Sequence, residues 1–218
     1  MKTQLYFIPG LGSDARMYAP YLEAFPNAKV LEFIRPFYGE TIEEFALRMA
    51  AGIDTSSPFS LVGTSLGGIL AVEISRVLQP QKIVLIASVK CRNELPLLLK
   101  SLKSLKVHKL LRAEVVTRAK ARKFNRLIPD SKSEFKQSLL DMNEQTDKLF
   151  IEWAADAVFN WKGVGNYRKD IVHFHGTKDE LFPFRRIKDC VALEGGTHLI
   201  ATTDEEKLIE QLKYILES

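Results

Sequence analysis

Apolar residues recur along this chain with two alternating periods. Short runs rich in aliphatic and β-branched residues predict strands over residues 4–8, 29–34, 59–62 and 82–87. Between them, apolar positions spaced by three and four predict helices over residues 17–25, over the segment after Thr41, and over residues 66–78, ending before Pro80. Thr41 suits an N-cap, and Glu43 and Glu44 follow in the first turn, where the helix dipole favours negative charge. The run 82–87 is almost wholly apolar, as expected of a strand covered on both faces. Strand and helix in alternation predict parallel βαβ units, hence an α/β class with a doubly wound, mostly parallel sheet.

The rhythm breaks after residue 90. From residue 91 to residue 165 no strand stands out, and helical spacings follow one another: Leu95, Leu98, Leu102 and Leu105, then, beyond Pro129, residues 133–159. Strands return at residues 170–174 and 190–193, and a last helix at residues 204–216. The expected organisation is therefore an α/β core made of residues 1–90 and 166–218, with residues 91–165 as a helical insert.

That frame gives meaning to Gly63-Thr64-Ser65-Leu66-Gly67, a G-x-S-x-G pattern between the strand at 59–62 and the helix opening near Leu66. A serine on so tight a strand-to-helix turn has its hydroxyl exposed, and small flanking residues remove side chains that would clash there. Gly68 adds room for close helix–strand packing. Serine is a weak nucleophile without a base, and the base needs an orienting acid. His175-Gly176-Thr177-Lys178-Asp179 follows the strand at 170–174, which puts Asp179 on a loop at a strand's carboxyl end. Glu180 is the rival acid, less well spaced from His175-Gly176. Gly195-Gly196-Thr197-His198 follows the next strand. Of the four histidines, only His198 lies on a post-strand loop downstream of the acid. The expected catalytic residues are Ser65, His198 and Asp179. The expected oxyanion hole comprises the backbone N–H groups of Leu66 and Leu11, with Gly12 as second choice to Leu11 in the loop Pro9-Gly10-Leu11-Gly12-Ser13.

These motifs, with Ile8 ahead of Pro9-Gly10-Leu11-Gly12, resemble the α/β-hydrolase superfamily over essentially the whole chain. The first motif there usually reads His-Gly-x-x-Gly, and Pro9 stands at the histidine. The chain starts at what would be the family's third strand. The resemblance thus implies a six-strand sheet in the order 2-1-3-4-5-6, with the insert in the family's cap position. It further implies acyl chemistry on a small-molecule ester by way of an acyl-enzyme, with a thioesterase or acyltransferase as the alternative.

Composition adds limits. No apolar run is long enough for a membrane span. The run at 5–8 is too short for a signal peptide and is ended by Pro9-Gly10. Cys91 and Cys190 make neither a disulfide framework nor a metal-ligand cluster, which fits a cytoplasmic protein. No zinc motif, phosphate-binding loop or dinucleotide fingerprint occurs, so no cofactor is expected. The net charge of +4 is uneven: residues 90–136 carry fourteen Lys or Arg against four Asp or Glu, a local +10. A solvated helical face accounts for such a run, and an anionic substrate is the functional reading. A non-catalytic protein of this fold, binding a partner through the basic insert, is the alternative of another class. Nucleic acid is not expected, because no recognition motif accompanies the charge. Phe150, Trp153, Phe159 and Trp161 could line an apolar pocket, although aromatics more often belong to the core.

Overall fold

The computed structural model describes residues 3–96, 133–163 and 170–217. Its strands are β1 (Gln4–Ile8), β2 (Lys29–Val30), β3 (Phe59–Thr64), β4 (Ile83–Ile86), β5 (Val172–Gly176) and β6 (Val191–Leu193). All neighbouring pairs are parallel, in the expected order β2-β1-β3-β4-β5-β6. The described helices are α1 (Ala19–Ala24), α2 (Ile42–Ala50), α3 (Leu66–Ile74), α4 (Ser133–Gln145), α5 (Lys148–Asn160), α6 (Ile200–Thr203) and α7 (Glu205–Glu217).

Strand alternation explains the layering. Tyr6, Ile8, Leu61 and Leu85 point to one face and pack with Phe45, Leu70 and Trp153 from α2, α3 and α5. Leu5, Phe7, Val62, Val84 and Ile86 point to the other and pack with Tyr21 of α1 and with Leu208 and Leu212 of α7. A sheet apolar on both faces needs helices on both, which is the doubly wound layout. Helix α3 is buried along its whole length, so it shows no polar face at all. Helix α2 carries the capping box built by Thr41 and Glu44.

Several boundaries differ from the sequence reading. The second strand shrinks to two residues: Leu31 N–H makes one more bond, to the Phe7 carbonyl, and the chain then leaves the sheet edge. The helix expected at 17–25 begins as a 3-10 turn, Ala15–Tyr18. The long helical segment 133–159 is two helices, because the Asp147 side chain caps a new start. Strand β5 extends further than expected, so His175 lies inside the sheet rather than in the following turn.

The aromatics at the end of the insert belong mainly to the core. Phe150 packs on Phe33 and Phe45, and Trp153 lies 4.2 Å from Phe45 between ring centroids. Trp153 Nε1 donates to the Glu40 carbonyl, and Trp161 Nε1 donates to Glu73 Oε1. Phe159 is half-buried. The basic stretch from Lys100 to Lys132, with His108, lies outside the described residues. At its start, Lys90 is not a surface charge: it is 1% exposed and pairs with Glu94. No described helix is long and apolar enough to cross a membrane.

Candidate active site

The register brings the carboxyl ends of the strands level. Ile8 is paired with Gly63, Thr64 with Ile86, Ile86 with Phe174, and Gly176 with Leu193. The loops that leave β1, β3, β5 and β6 therefore open at one edge of the sheet, where ligands bind in open α/β folds.

Ser65 is the residue between β3 and α3, and its backbone is strained, with φ 52° and ψ −115°. A positive φ in a residue with a Cβ costs free energy and is kept only where the surroundings impose it. Here they do. A Cβ on Gly63 would overlap the backbone of Gly67 and Gly68, and one on Gly67 would overlap the carbonyls of Ile8 and Pro9. A Cβ on Gly68 would run into Ser88. Ser88 Oγ itself donates to the Ser65 carbonyl at 2.7 Å, a contact the sequence reading missed. Its signal was available, since Ser88 lies just beyond β4, the strand next to β3.

Two further loops converge on Ser65. Thr177 N–H donates to the Leu193 carbonyl, and Lys178 N–H to that of Gly196, so the loops after β5 and β6 are stapled together. They carry Asp179 and His198. Ser65 Oγ lies 2.9 Å from His198 Nε2, and His198 Nδ1 lies 2.7 Å from Asp179 Oδ2. The other carboxylate oxygen, Oδ1, accepts the backbone N–H groups of Leu181 and Phe182 at 2.8 and 2.9 Å. The Asp179 side chain is fully buried, whereas that of His198 is 19% exposed. Glu180, the rival acid, is exposed to solvent. Hydroxyl, imidazole and carboxylate in one line form an arrangement that can move a proton off the hydroxyl and stabilise the resulting imidazolium.

The start of α3 and the loop after β1 both flank Ser65. Leu66 opens α3, so its N–H has no partner within the helix. Leu11 is half-buried in the loop that follows β1, and Gly10 packs so closely that a Cβ there would sit 3.3 Å from Ser65 Cβ. Gly12 has φ +82°, and the Asn143 amide of α4 closes on it. Among the described residues no cluster of His, Cys, Asp or Glu is placed to hold a metal ion.

Comparison with known proteins separates sequence from shape. No family model matches this chain, and no curated protein matches it in sequence. Many solved structures match it in fold. A hydrolase from Pseudomonas aeruginosa superposes with a TM-score of 0.76 at 14% identity, covering 100% of this chain and 91% of that one. A thermophilic esterase from Thermogutta terrifontis gives 0.68 at 17% identity, covering 100% and 90%. The RedJ thioesterase of prodiginine biosynthesis in Streptomyces coelicolor gives 0.63 at 14% identity, covering 96% and 84%. This chain has the α/β-hydrolase fold.

Within the α/β-hydrolase fold the loop after β1 is the part that departs from the usual motif, with Pro9 in place of histidine. The structure braces that loop differently. The Tyr18 hydroxyl donates to the Ile8 carbonyl at 2.9 Å and lies 2.8 Å from Thr64 Oγ1, tying the end of β1 to the end of β3. Burial pushes the Tyr18 phenol far above its ordinary pKa, so it stays a neutral donor. Ser13 adds a second tie: its N–H and its Oγ both donate to the Gly10 carbonyl. Tyr18 went unnoticed in the sequence because its hydroxyl partner stands 46 residues away.

Proposed function

We propose that this protein is a serine hydrolase that cleaves a carboxylic ester or a related acyl bond of a small molecule. What carries the reading is the line Ser65 Oγ, His198 Nε2 and Nδ1, and Asp179 Oδ2, at 2.9 and 2.7 Å, on a strained strand-to-helix turn. In the proposed reaction Ser65 Oγ attacks the carbonyl carbon while His198 Nε2 takes its proton. The N–H groups of Leu66 and Leu11 hold the negative oxygen of the tetrahedral intermediate. The intermediate collapses, and the alcohol leaves with the proton from His198. Water, deprotonated by His198, then attacks the acyl-enzyme; the acid departs and the proton returns to Ser65. Asp179 keeps the imidazole in the tautomer and direction this needs.

Residues 91–165 act in this reading as a cap. Its support is the end of α4, where Met142 Sδ accepts the Asp14 N–H and Asn143 covers Gly12, so that the insert leans on the oxyanion loop. A thioester substrate is the second reading, favoured by the likeness to the RedJ thioesterase. Ser65→Ala tests both: hydrolysis of a short p-nitrophenyl ester falls on the order of 10⁵-fold in kcat while the circular dichroism spectrum is unchanged. Full activity in that variant overturns the assignment. A fluorophosphonate probe that fails to label the wild type indicates instead a binding protein of the same fold. Parallel kcat/KM values for esters and thioesters of matched acyl groups then choose between the two substrates.

A further inference from the structure

Behind Asp179 lies a line of buried polar side chains that the proposed reaction does not use. Lys90, just past β4, is 1% exposed, as is His173; His175 is 0% and Glu94 2% exposed. His173 and His175 are two apart on β5, so both side chains leave the same face of the strand. Lys90 Nζ is 3.2 Å from His173 Nδ1, and His173 Nε2 is 3.3 Å from His175 Nδ1. His175 Nε2 is 2.8 Å from the Phe182 carbonyl oxygen and 3.4 Å from Asp179 Oδ2. At the far end Lys90 Nζ also donates to the Lys188 carbonyl and lies 3.3 Å from Glu94 Oε1. The Glu94 carboxylate accepts the backbone N–H groups of Lys90 and Lys188.

Donor and acceptor chemistry favours one placement of protons along this line, and the Ser88 backbone also faces the His173 ring as an acceptor. A carbonyl only accepts, so His175 Nε2 must carry a hydrogen. Burial, above all, holds the His175 ring below the usual imidazole range, so its Nδ1 is bare and accepts. His173 must then donate from Nε2. Its own Nδ1 is bare and accepts from the Lys90 ammonium. Burial first, and the Lys90 charge second, keep the His173 ring neutral.

We infer that Lys90, His173 and His175 form a positioning relay that orients Asp179 and offsets part of its negative charge from behind. The inference rests on the triad reading above. His175 Nε2–H is anchored on the Phe182 carbonyl and faces Oδ2, the oxygen that also accepts the hydrogen bond of His198 Nδ1. A positive charge at the far end weakens the pull of Asp179 on protonated His198, and Glu94 opposes that charge. The titratable groups facing the relay are Asp179, His198 and Glu94 around His175, and Glu94, Cys190 and Asp189 around Lys90.

The pH dependence of kcat/KM on a p-nitrophenyl ester, with the full chain, reads the relay through charge sign. Lys90→Met removes the positive end, so the acid limb moves to higher pH; Glu94→Gln removes the opposing charge, so it moves to lower pH. Each shift is on the order of a few tenths of a pH unit, as for a charge acting across several buried side chains at an effective dielectric near 20 with salt screening. Shifts of the same sign, or none, overturn the relay, because a merely structural role has no reason to follow charge sign. Breaking a buried pair can unfold the variants. Long-range ¹H–¹⁵N spectra of the wild type then decide: both His173 and His175 appear as neutral Nε2–H tautomers at pH 7, and an Nδ1–H tautomer or a cation at either ring overturns the relay. That measurement needs no turnover. A wild type without esterase activity or probe labelling therefore sinks the triad reading while the relay is still judged.

Discussion

On one side of Asp179, His198 keeps 19% of its side chain exposed and reaches Ser65 Oγ at 2.9 Å. On the other side, His175 and His173 are sealed in the sheet and continue to a buried lysine. The residue type is the same, and the surroundings separate the tasks. The His198 ring lies on a glycine-flanked loop at the mouth of the site, where it can exchange a proton with a substrate. The two strand histidines are desolvated, and burial lowers the pKa of both, which favours neutral rings over imidazolium. In the proposed reading, position on the fold more than identity decides which histidine does chemistry.

After the loss of Ser65 itself, the largest effect expected is at the junction of the two sides. Asp179→Asn keeps the size of the side chain but removes its charge and presents the wrong group to His198 Nδ1. The expected loss in kcat is about 10⁴-fold, checked by ester hydrolysis, with the unfolding midpoint as a control. A loss confined to stability would erase the distinction between the two sides.

The buried side is probed by acid. His173 and His175 have folded-state pKa values lowered from 6.5, so the unfolded chain binds their protons at a higher pH than the native one. Their contribution to stability is whole above 6.5 and is lost as pH falls below it, toward the lowered folded values. The slope expected is up to about 1.4 kcal/mol per pH unit for each ring, measured by urea unfolding between pH 7 and pH 5. A flat profile would mean that the strand histidines take up protons as freely as an exposed one.

The smallest effect belongs to the open side. Tyr18→Phe removes the ties to the Ile8 carbonyl and to Thr64 and costs about 1–2 kcal/mol of stability, read by the same denaturation. In the proposed reading the loop it braces carries an oxyanion donor, the Leu11 N–H, so kcat should fall while KM changes little; a change in KM alone would detach Tyr18 from that role.

What could be read from the sequence follows from the range of the interactions involved. The turn at Ser65 was legible because its crowding is local: Gly63, Gly67 and Gly68 meet each other, the neighbouring strand ends and Ser88. The strands were legible because each is a short apolar run bounded by turn residues, whereas their order came from the resemblance of the motifs to the α/β-hydrolase superfamily. The second strand is shorter than its apolar run, which says nothing of how long the edge stays in reach of β1. Lys90 was counted into a basic stretch, because the carboxylate and carbonyls that neutralise its burial come from the 3-10 turn Arg92–Glu94 and from residues 188 and 189. His175 was read as a turn residue because a polar ring inside a strand looks like a strand's end until its partners are known.

The order of the strands along the chain has a consequence for biogenesis. Residues 1–90 supply β1 to β4 and with them the whole turn around Ser65. Asp179 and His198, the acid and base of the proposed reading, arrive more than a hundred residues later, on loops after β5 and β6. A nascent or truncated chain that ends before β5 therefore holds a serine with neither partner. In the proposed reading, labelling of Ser65 by a fluorophosphonate marks the moment when the carboxyl-terminal strands have docked, and so serves as a stopwatch for the last step of assembly.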